Sequence, residues 1–130
     1  MRNVKETVPH IAAREKAEKV YRPLVYICSP YSGDVEKNTE IARKFSKFAL
    51  DAGSIPLAPH LLFPQFMTDE RPEERELAMF MDIVLLGKCD ELWVLAGKVT
   101  QGMAVEIEKA KKRRQPIRYF NQNFEEVSEA

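Results

Sequence analysis

The fold of this chain is decided by a short apolar run, LVYIC at residues 24–28, and by the turn residues SPYSG that follow it at residues 29–33. A continuous apolar run of this length that stops at turn residues is typical of a strand buried on both faces. Strands of that kind belong to parallel sheets with helices on both sides. The stretch therefore predicts an α/β fold.

Helical and strand-like segments alternate along the rest of the chain. Helical spacing of apolar residues predicts helices at about 35–52, 69–87 and 101–114. Short apolar runs predict further strands at 54–58, 91–96 and 116–120. This order predicts a doubly wound, Rossmann-like or flavodoxin-like three-layer sandwich around a mainly parallel sheet of four or five strands.

Local signals predict where the helices begin and end. Asp34 is expected to cap the first helix and Gly53 to follow it in the left-handed conformation, while Gly87 is expected to end the second helix. Residues 59–71, rich in aromatics and prolines, are expected to form a loop. The buried face of the second helix is expected to consist of Leu77, Phe80, Met81, Val84 and Leu85.

Composition limits the classes of function that the chain can have. Its 130 residues favour one domain, and we expect an N-terminal helical extension at 1–23 followed by the domain at 24–130. The chain has 20 Lys and Arg residues against 20 Asp and Glu residues. A nucleic-acid-binding protein usually has an excess of basic residues, so this balance argues against a nucleic-acid polymer as partner. No apolar stretch approaches the ~18–20 residues of a membrane span. The first residues lack the apolar region of a secretory signal, so the cytoplasm is expected. Cys28 and Cys89 are expected to be buried thiols.

Three loops, 29–34, 59–71 and 97–102, follow the carboxyl ends of predicted parallel strands, where such sheets bind ligands. The first loop contains Ser29, Ser32 and Gly33 before a helix N-terminus, an arrangement that can hold an anion such as a phosphate. The alternative is a plain strand-to-helix turn. Tyr26 lies in the predicted strand and Tyr31 in the loop after it. Both are candidate site residues, and the alternative is that they only pack against neighbouring side chains.

Two acidic residues occupy unusual positions. Glu106 lies about one turn into the third helix, at the border of the stripe Met103, Ile107 and Ala110, where it can be aimed at a ligand. The alternative is an exposed glutamate paired with Lys109. Asp82 stands in an almost entirely apolar segment, which is costly for an acid without a partner or a function.

Other candidates have simpler explanations. Asp90 opens the third strand, where a turn residue is common. His10 and His60 share no metal-ligand spacing, so we expect no metal. We expect no other cofactor either.

In these residues the chain resembles the nucleoside 2-deoxyribosyltransferase superfamily. It also resembles the related nucleoside-5′-monophosphate N-glycosidases and the small uncharacterised bacterial and phage proteins that are grouped with them. The resemblance covers roughly residues 24–120. Residues 25–31 resemble the family's strand tyrosine and the aromatic loop after it. Asp82, eight residues before Asp90, resembles the family's helix aspartate and strand-opening aspartate. TQGMAVE at residues 100–106 resembles the loop whose glycine, Gly102, stands four residues before a nucleophilic glutamate.

The resemblance implies cleavage or transfer at the N-glycosidic bond of a nucleoside or nucleoside 5′-monophosphate. It implies Glu106 as nucleophile, Asp82 as the acid that protonates the leaving base, and Tyr26 as the residue that holds Glu106 by a hydrogen bond. The remaining substrate-binding candidates are Ser29, Tyr31, Ser32, Gly33, His60, Asp90, Thr100 and Gly102. Residues 59–71 are expected to shape the base pocket.

One departure from the transferases concerns the sugar. Thr100 stands where those enzymes place a ribose-binding aspartate, and this small hydroxyl residue resembles the monophosphate glycosidase branch instead. The resemblance also implies a homodimer or larger homo-oligomer. Three alternatives remain: a non-catalytic nucleotide-binding or regulatory module on the same fold, a flavodoxin-like signalling or redox domain, and an interaction role.

Overall fold

The computed structural model of the chain describes residues 20–129, and within them five strands form one sheet. The strands are β1 (Leu24–Cys28), β2 (Ile55–Leu57), β3 (Glu91–Leu95), β4 (Ile117–Phe120) and β5 (Glu126–Val127). Their order is β2-β1-β3-β4-β5, with β1 to β4 parallel and β5 antiparallel to β4. The helices of the same residues are α1 (Val35–Asp51), α2 (Pro59–Leu62), α3 (Pro72–Lys88) and α4 (Gln101–Lys112).

Strand β1 lies inside the sheet, between β2 and β3, and is buried on both faces as its apolar run predicts. Side chains alternate between the two faces of a strand. Val25 and Ile27 accordingly pack with Phe45 of α1 on one face. Tyr26 and Cys28 point to the other face, into the core that α3 and α4 cover.

The path of the chain reverses direction beside β1. From β1 it passes through α1 to β2 on one side, and then crosses to β3 on the other side before it continues to β4. This reversal is the switch point of a doubly wound sheet, so the predicted three-layer α/β fold is confirmed. The loops after β1 and β3 diverge there, which leaves room for a cleft at the carboxyl ends of these strands.

The ends of α1 follow the sequence prediction. The Asp34 side chain accepts a hydrogen bond from the Lys37 amide, which satisfies one of the free N–H groups of the first turn. Gly53 has a φ of 95°, the left-handed conformation that favours glycine after a helix. Strand β2 is shorter than predicted and begins at Ile55.

The second half of the sequence prediction needs three corrections. Residues 59–71 are not wholly loop, because Pro59 starts the short helix α2 and a 3-10 turn follows at Phe63–Gln65. Helix α3 does not end at Gly87. It continues to Lys88 because the side-chain amide of Gln115 donates to the carbonyl oxygens of Leu86 and Cys89 and satisfies the end of the helix.

The predicted buried face of α3 is wrong at three of its five positions, while Met81 is half-buried and Leu85 packs against the core. Leu77, Phe80 and Val84 are exposed, whereas Leu86 is fully buried. Because α3 carries apolar side chains around most of its circumference, their spacing did not single out the face that packs on the sheet.

The N-terminal helical extension predicted at 1–23 falls largely on residues 1–19, which lie outside the described residues. Residues 20–23, just before β1, are not helical. No helix within residues 20–129 is both long enough and apolar enough to cross a lipid bilayer.

Candidate active site

A cleft of about 600 Å³ opens at the carboxyl ends of the parallel strands. Its walls come from the loop after β1, from α2 and the turn after it, from one side of α3 and from the first turns of α4. Seven of the predicted site residues line it, namely Tyr31, Ser32, His60, Asp82, Thr100, Gly102 and Glu106. The structure therefore brings together residues that are as much as 75 positions apart in the sequence.

Glu106 lies on the inner face of α4 and is only 5% exposed. It is not the exposed glutamate of the alternative interpretation. The Tyr26 hydroxyl donates a hydrogen bond to Oε2 of Glu106, and the Cys28 thiol donates one to Oε1 over 3.4 Å. Both carboxyl oxygens are thus held by donors from β1, while the residue itself lines the cleft.

The surroundings of Glu106 set its protonation. Burial raises its pKa from 4.5 to about 7, the charge of Asp82 adds to this rise, and the hydrogen bonds from Tyr26 and Cys28 oppose it. Burial and the neighbouring Glu106 charge also raise the pKa of the Tyr26 phenol and of the Cys28 thiol, so both groups remain protonated donors at neutral pH.

Asp82 faces the same cleft from α3. Its Oδ1 is buried and has no hydrogen-bond partner within residues 20–129. Burial raises its pKa from 3.8 to about 7, so the carboxyl group can carry a proton at neutral pH and release it to an acceptor in the cleft. The apolar segment around Asp82 in the sequence is the physical source of this shift.

Some residues of the loop after β1 line the cleft, and others do not. Tyr31 and Ser32 line the cleft, and the Asn38 side chain holds the loop by donating to both of their carbonyl oxygens, at 3.1 and 3.0 Å. Ser29 is buried, and its hydroxyl has no partner in the described part of the chain. Gly33 turns the chain with a φ of 98°. Neither Ser29 nor Gly33 is among the cleft-lining residues.

His60, on α2, forms a wall of the cleft with Tyr31. The two rings are 5.1 Å apart between centroids. Burial lowers the pKa of His60, and a hydrogen bond with the Ser29 backbone opposes that effect. The imidazole is therefore neutral at pH 7. Its Nδ1 is buried without a hydrogen-bond partner among residues 20–129.

Thr100 and Gly102 line the cleft where α4 begins. The Thr100 hydroxyl accepts a hydrogen bond from the Met103 amide at 3.3 Å and caps the helix. The hydroxyl keeps its proton for a further hydrogen bond into the cleft. Capping also fixes the first turn of α4, and with it the direction in which the Glu106 side chain projects from the helix.

Asp90 is not brought to the cleft. It precedes β3 at the opposite, amino-terminal edge of the sheet, where its carboxylate accepts a hydrogen bond from the Leu24 amide at 2.8 Å. That bond lowers the pKa of Asp90. This aspartate joins two neighbouring strands, which accounts for it in structural terms.

Two cleft residues of α3 are absent from the sequence prediction: Arg75 brings a guanidinium to the wall, and Met79 brings apolar surface. Phe63 and Met67 also bring apolar surface, and they belong to residues 59–71, the segment expected to shape a pocket. Arg75, Met79 and Asp82 follow one another at helical spacing along α3, a signal that only the identification of Asp82 as a site residue would have revealed. Cys28 is the buried thiol that the sequence predicts, but its bond to Glu106 has no local signal in the sequence. Within residues 20–129, no cluster of three or more His, Cys, Asp or Glu side chains is arranged to hold a metal ion.

Comparison with known proteins supports the fold. No curated protein matches the sequence. Among solved structures, the chain is similar to the 2-deoxyribosyltransferase from the psychrotolerant bacterium Bacillus psychrosaccharolyticus, with a TM-score of 0.64 and 17% sequence identity over 81% of this chain and 77% of that chain. At this identity the similarity is one of fold. The family described as "Domain of unknown function (DUF7768)" matches residues 23–120, which include every strand and helix from β1 to β4, and the chain belongs to that family.

Proposed function

We propose that this protein cleaves or transfers at the N-glycosidic bond of a nucleoside or nucleoside 5′-monophosphate, with Glu106 as the nucleophile. The observation that carries the proposal is a buried glutamate, held through both oxygens by donors from β1, in one cleft with a second buried carboxyl group. The fold is that of a structure described as a 2-deoxyribosyltransferase, which supports the same class of chemistry.

In the first step, the Glu106 carboxylate attacks the anomeric carbon of the sugar. The bond from that carbon to the base nitrogen breaks, and its electron pair leaves with the base. Positive charge develops on the sugar during this step, and a carboxylate directly beneath the anomeric carbon stabilises it and then forms a glycosyl ester.

Asp82 supplies the proton that the leaving base needs. Its carboxyl group is protonated in part at neutral pH because its pKa is about 7, and it faces the same cleft as Glu106. After the base departs, the Asp82 carboxylate takes a proton from water as the water attacks the glycosyl ester, which frees the sugar and restores Glu106. A second base in place of water gives transfer.

The remaining cleft residues bind the substrate. Tyr31, Ser32 and His60 lie on the side of the loop after β1 and contact the sugar and its 5′ group. Asp82 defines the position of the base, so the base lies against α3, between Met79 and the apolar turn that contains Phe63. Thr100 offers its hydroxyl proton to the sugar from the start of α4.

A screen for released base tests the proposal. The protein is incubated with ribonucleosides, 2′-deoxyribonucleosides and their 5′-monophosphates, and free base is measured by mass spectrometry. We expect release from at least one class of substrate, and a loss of roughly three or more powers of ten in rate for Glu106→Ala. Glu108→Ala is the matched control, because Glu108 is exposed on the same helix and outside the cleft.

Two results would contradict the proposal. Near wild-type release by Glu106→Ala would remove this residue from the mechanism. Stabilisation of the wild-type protein by nucleotides in a thermal-shift assay, with no base released over hours, would instead support a non-catalytic nucleotide-binding module.

A further inference from the structure

Cys28 makes a contact with Glu106 that the proposed reaction does not use. Its thiol lies 3.4 Å from Oε1 of the carboxyl group, and Cys28 is fully buried in the core beneath α4. Tyr26, two residues earlier on β1, occupies the other oxygen, Oε2. Side chains two residues apart on a strand project from the same face, so β1 presents both donors to one carboxyl group.

We propose that Cys28 is a positioning residue for Glu106: its thiol fixes the direction of Oε1 while Tyr26 fixes that of Oε2. Two donors on two different oxygens restrain the rotation of the carboxyl group about its terminal bond more tightly than one donor does. A carboxylate with a fixed plane aims its lone pairs at one point in the cleft, which is the requirement for attack on a single carbon atom.

The two donors differ in strength, and this difference distinguishes the two oxygens. A thiol is a weak hydrogen-bond donor and a phenol is a strong one. Oε1 therefore keeps more of its negative charge than Oε2. Oε1 is the oxygen that attacks the sugar, and Oε2 is the one that anchors the side chain to the sheet. This assignment rests on the proposed function, whereas the positioning contact itself does not.

The charge balance around Glu106 explains why a second donor is needed. The titratable groups that face it are Tyr26 and Cys28 from β1 and Asp82 from α3. Burial and Asp82 favour the protonated form of Glu106, and only the two donors among these groups favour the ionised form that a nucleophile requires. Removal of the thiol shifts this balance toward the protonated form.

An infrared measurement on the substrate-free protein tests the contact without relying on any activity. The S–H stretching band of a cysteine lies in a window where other protein groups do not absorb, and it moves to lower frequency when the thiol donates to a charged acceptor. We expect the Cys28 band, assigned from its loss in Cys28→Ala, to move to lower frequency as the pH rises through the titration of Glu106. A band that does not change with pH, or one that changes equally in Glu106→Gln, would overturn the proposal.

Kinetics of two alanine variants then test the catalytic consequence. Cys89 is the matched control, because it is also a buried thiol and donates to the Leu85 carbonyl oxygen over the same 3.4 Å, away from Glu106. We expect Cys28→Ala to lower kcat/KM at neutral pH by about ten-fold and to move the acid limb of its pH profile upward by roughly half a pH unit or more. Cys89→Ala should leave the position of that limb unchanged.

The outcomes separate the two proposals. If both variants lower the melting temperature and neither moves the acid limb, Cys28 is a packing residue and the inference is wrong. If no substrate of the wild-type protein is found, the proposed function fails, and the infrared titration still decides whether the thiol holds Glu106. If Cys28→Ala does not fold, the same titration of Cys89→Ala gives the decision, because Cys28 is then the one thiol of the chain.

Discussion

Glu106 and Asp82 come from different helices, yet both line one cleft and burial raises the pKa of each to about 7. Two interacting carboxyl groups of this kind titrate as a pair, and the pair passes through a form that holds one proton. The proposed reaction needs that form, with Glu106 ionised and Asp82 protonated. We therefore expect a bell-shaped pH profile of kcat/KM with its maximum near neutral pH.

Substitution of Asp82 separates the two limbs of this profile. Asp82→Asn removes the proton donor, so we expect a large loss of rate on natural substrates, a much smaller loss on substrates with an activated leaving group, and no alkaline limb in the remaining activity. The measurement is kcat/KM against pH for both kinds of substrate. Equal losses on both substrates would argue against Asp82 as the acid.

Stability should reveal the cost of burying Glu106. The unfolded chain loses this proton near pH 4.5 and the folded chain near pH 7, so between these values the folded state binds more protons and becomes less stable as the pH rises. Glu106→Gln removes the ionisable group and with it this loss of stability. We measure the free energy of unfolding of both proteins by urea denaturation at pH 5 and at pH 8. We expect the difference between variant and wild type to shift in favour of the variant by roughly 1–3 kcal/mol from pH 5 to pH 8. A difference that is independent of pH would contradict the raised pKa.

At the scale of single elements, α4 depends on its first turn. Thr100 is the N-cap, and its hydroxyl satisfies the Met103 amide. We expect Thr100→Ala to destabilise the protein by about 1 kcal/mol, and Thr100→Ser to retain most of the stability because serine supplies the same hydroxyl. The free energies of unfolding of wild type and the two variants, measured with denaturant, test this prediction. Equal stability of Thr100→Ala and wild type would show that the cap contributes nothing.

The elements differ in how well the sequence predicts them. The run at residues 24–28 predicts a buried strand correctly, because its side chains alternate between two cores on opposite faces of the sheet and both faces therefore require apolar residues. The cap at Asp34 and the turn at Gly53 are local chemistry, and both are confirmed. The end of α3 is not set locally, because Gln115, far along the chain, donates to the carbonyl oxygens of Leu86 and Cys89.

The site shows the same division between local and tertiary information. The periodicity of α4 places Glu106 beside the core stripe, but its nearly complete burial follows from the packing of α4 on β1. The partners of Glu106, namely Tyr26 and Cys28, are more than 70 residues away in the sequence. A pattern within one helix cannot identify them, and Arg75 lines the cleft only through the path of α3.

At the scale of the whole molecule, α3 presents an exposed apolar stripe. Leu77, Phe80 and Val84 follow one another at helical spacing on α3 and are 49%, 66% and 41% exposed. Exposed apolar side chains in one row are typical of contact surfaces. The homo-oligomer expected from the sequence remains a prediction, and this stripe is where we expect the subunits to meet.

Size-exclusion chromatography with light scattering checks this expectation. We expect a dimer or larger assembly for the wild-type protein and a smaller species for Phe80→Glu, because a charge in the contact is costly to desolvate. Leu50→Glu is the matched control, since Leu50 is 43% exposed on α1, which covers the other face of the sheet. A monomeric wild type, or an unchanged mass for Phe80→Glu, would contradict the assignment of the stripe.

Covalent capture of the sugar tests the nucleophilic role of Glu106 most directly. The protein is mixed with a nucleoside or nucleotide from which it releases base, the reaction is quenched in acid, and intact mass and peptide masses are measured. We predict a mass increase equal to one sugar residue, on the peptide that contains Glu106, in the wild-type protein and in Glu108→Ala, and none in Glu106→Ala. Base release with the sugar attached to a different peptide, or undiminished in Glu106→Ala, would contradict it.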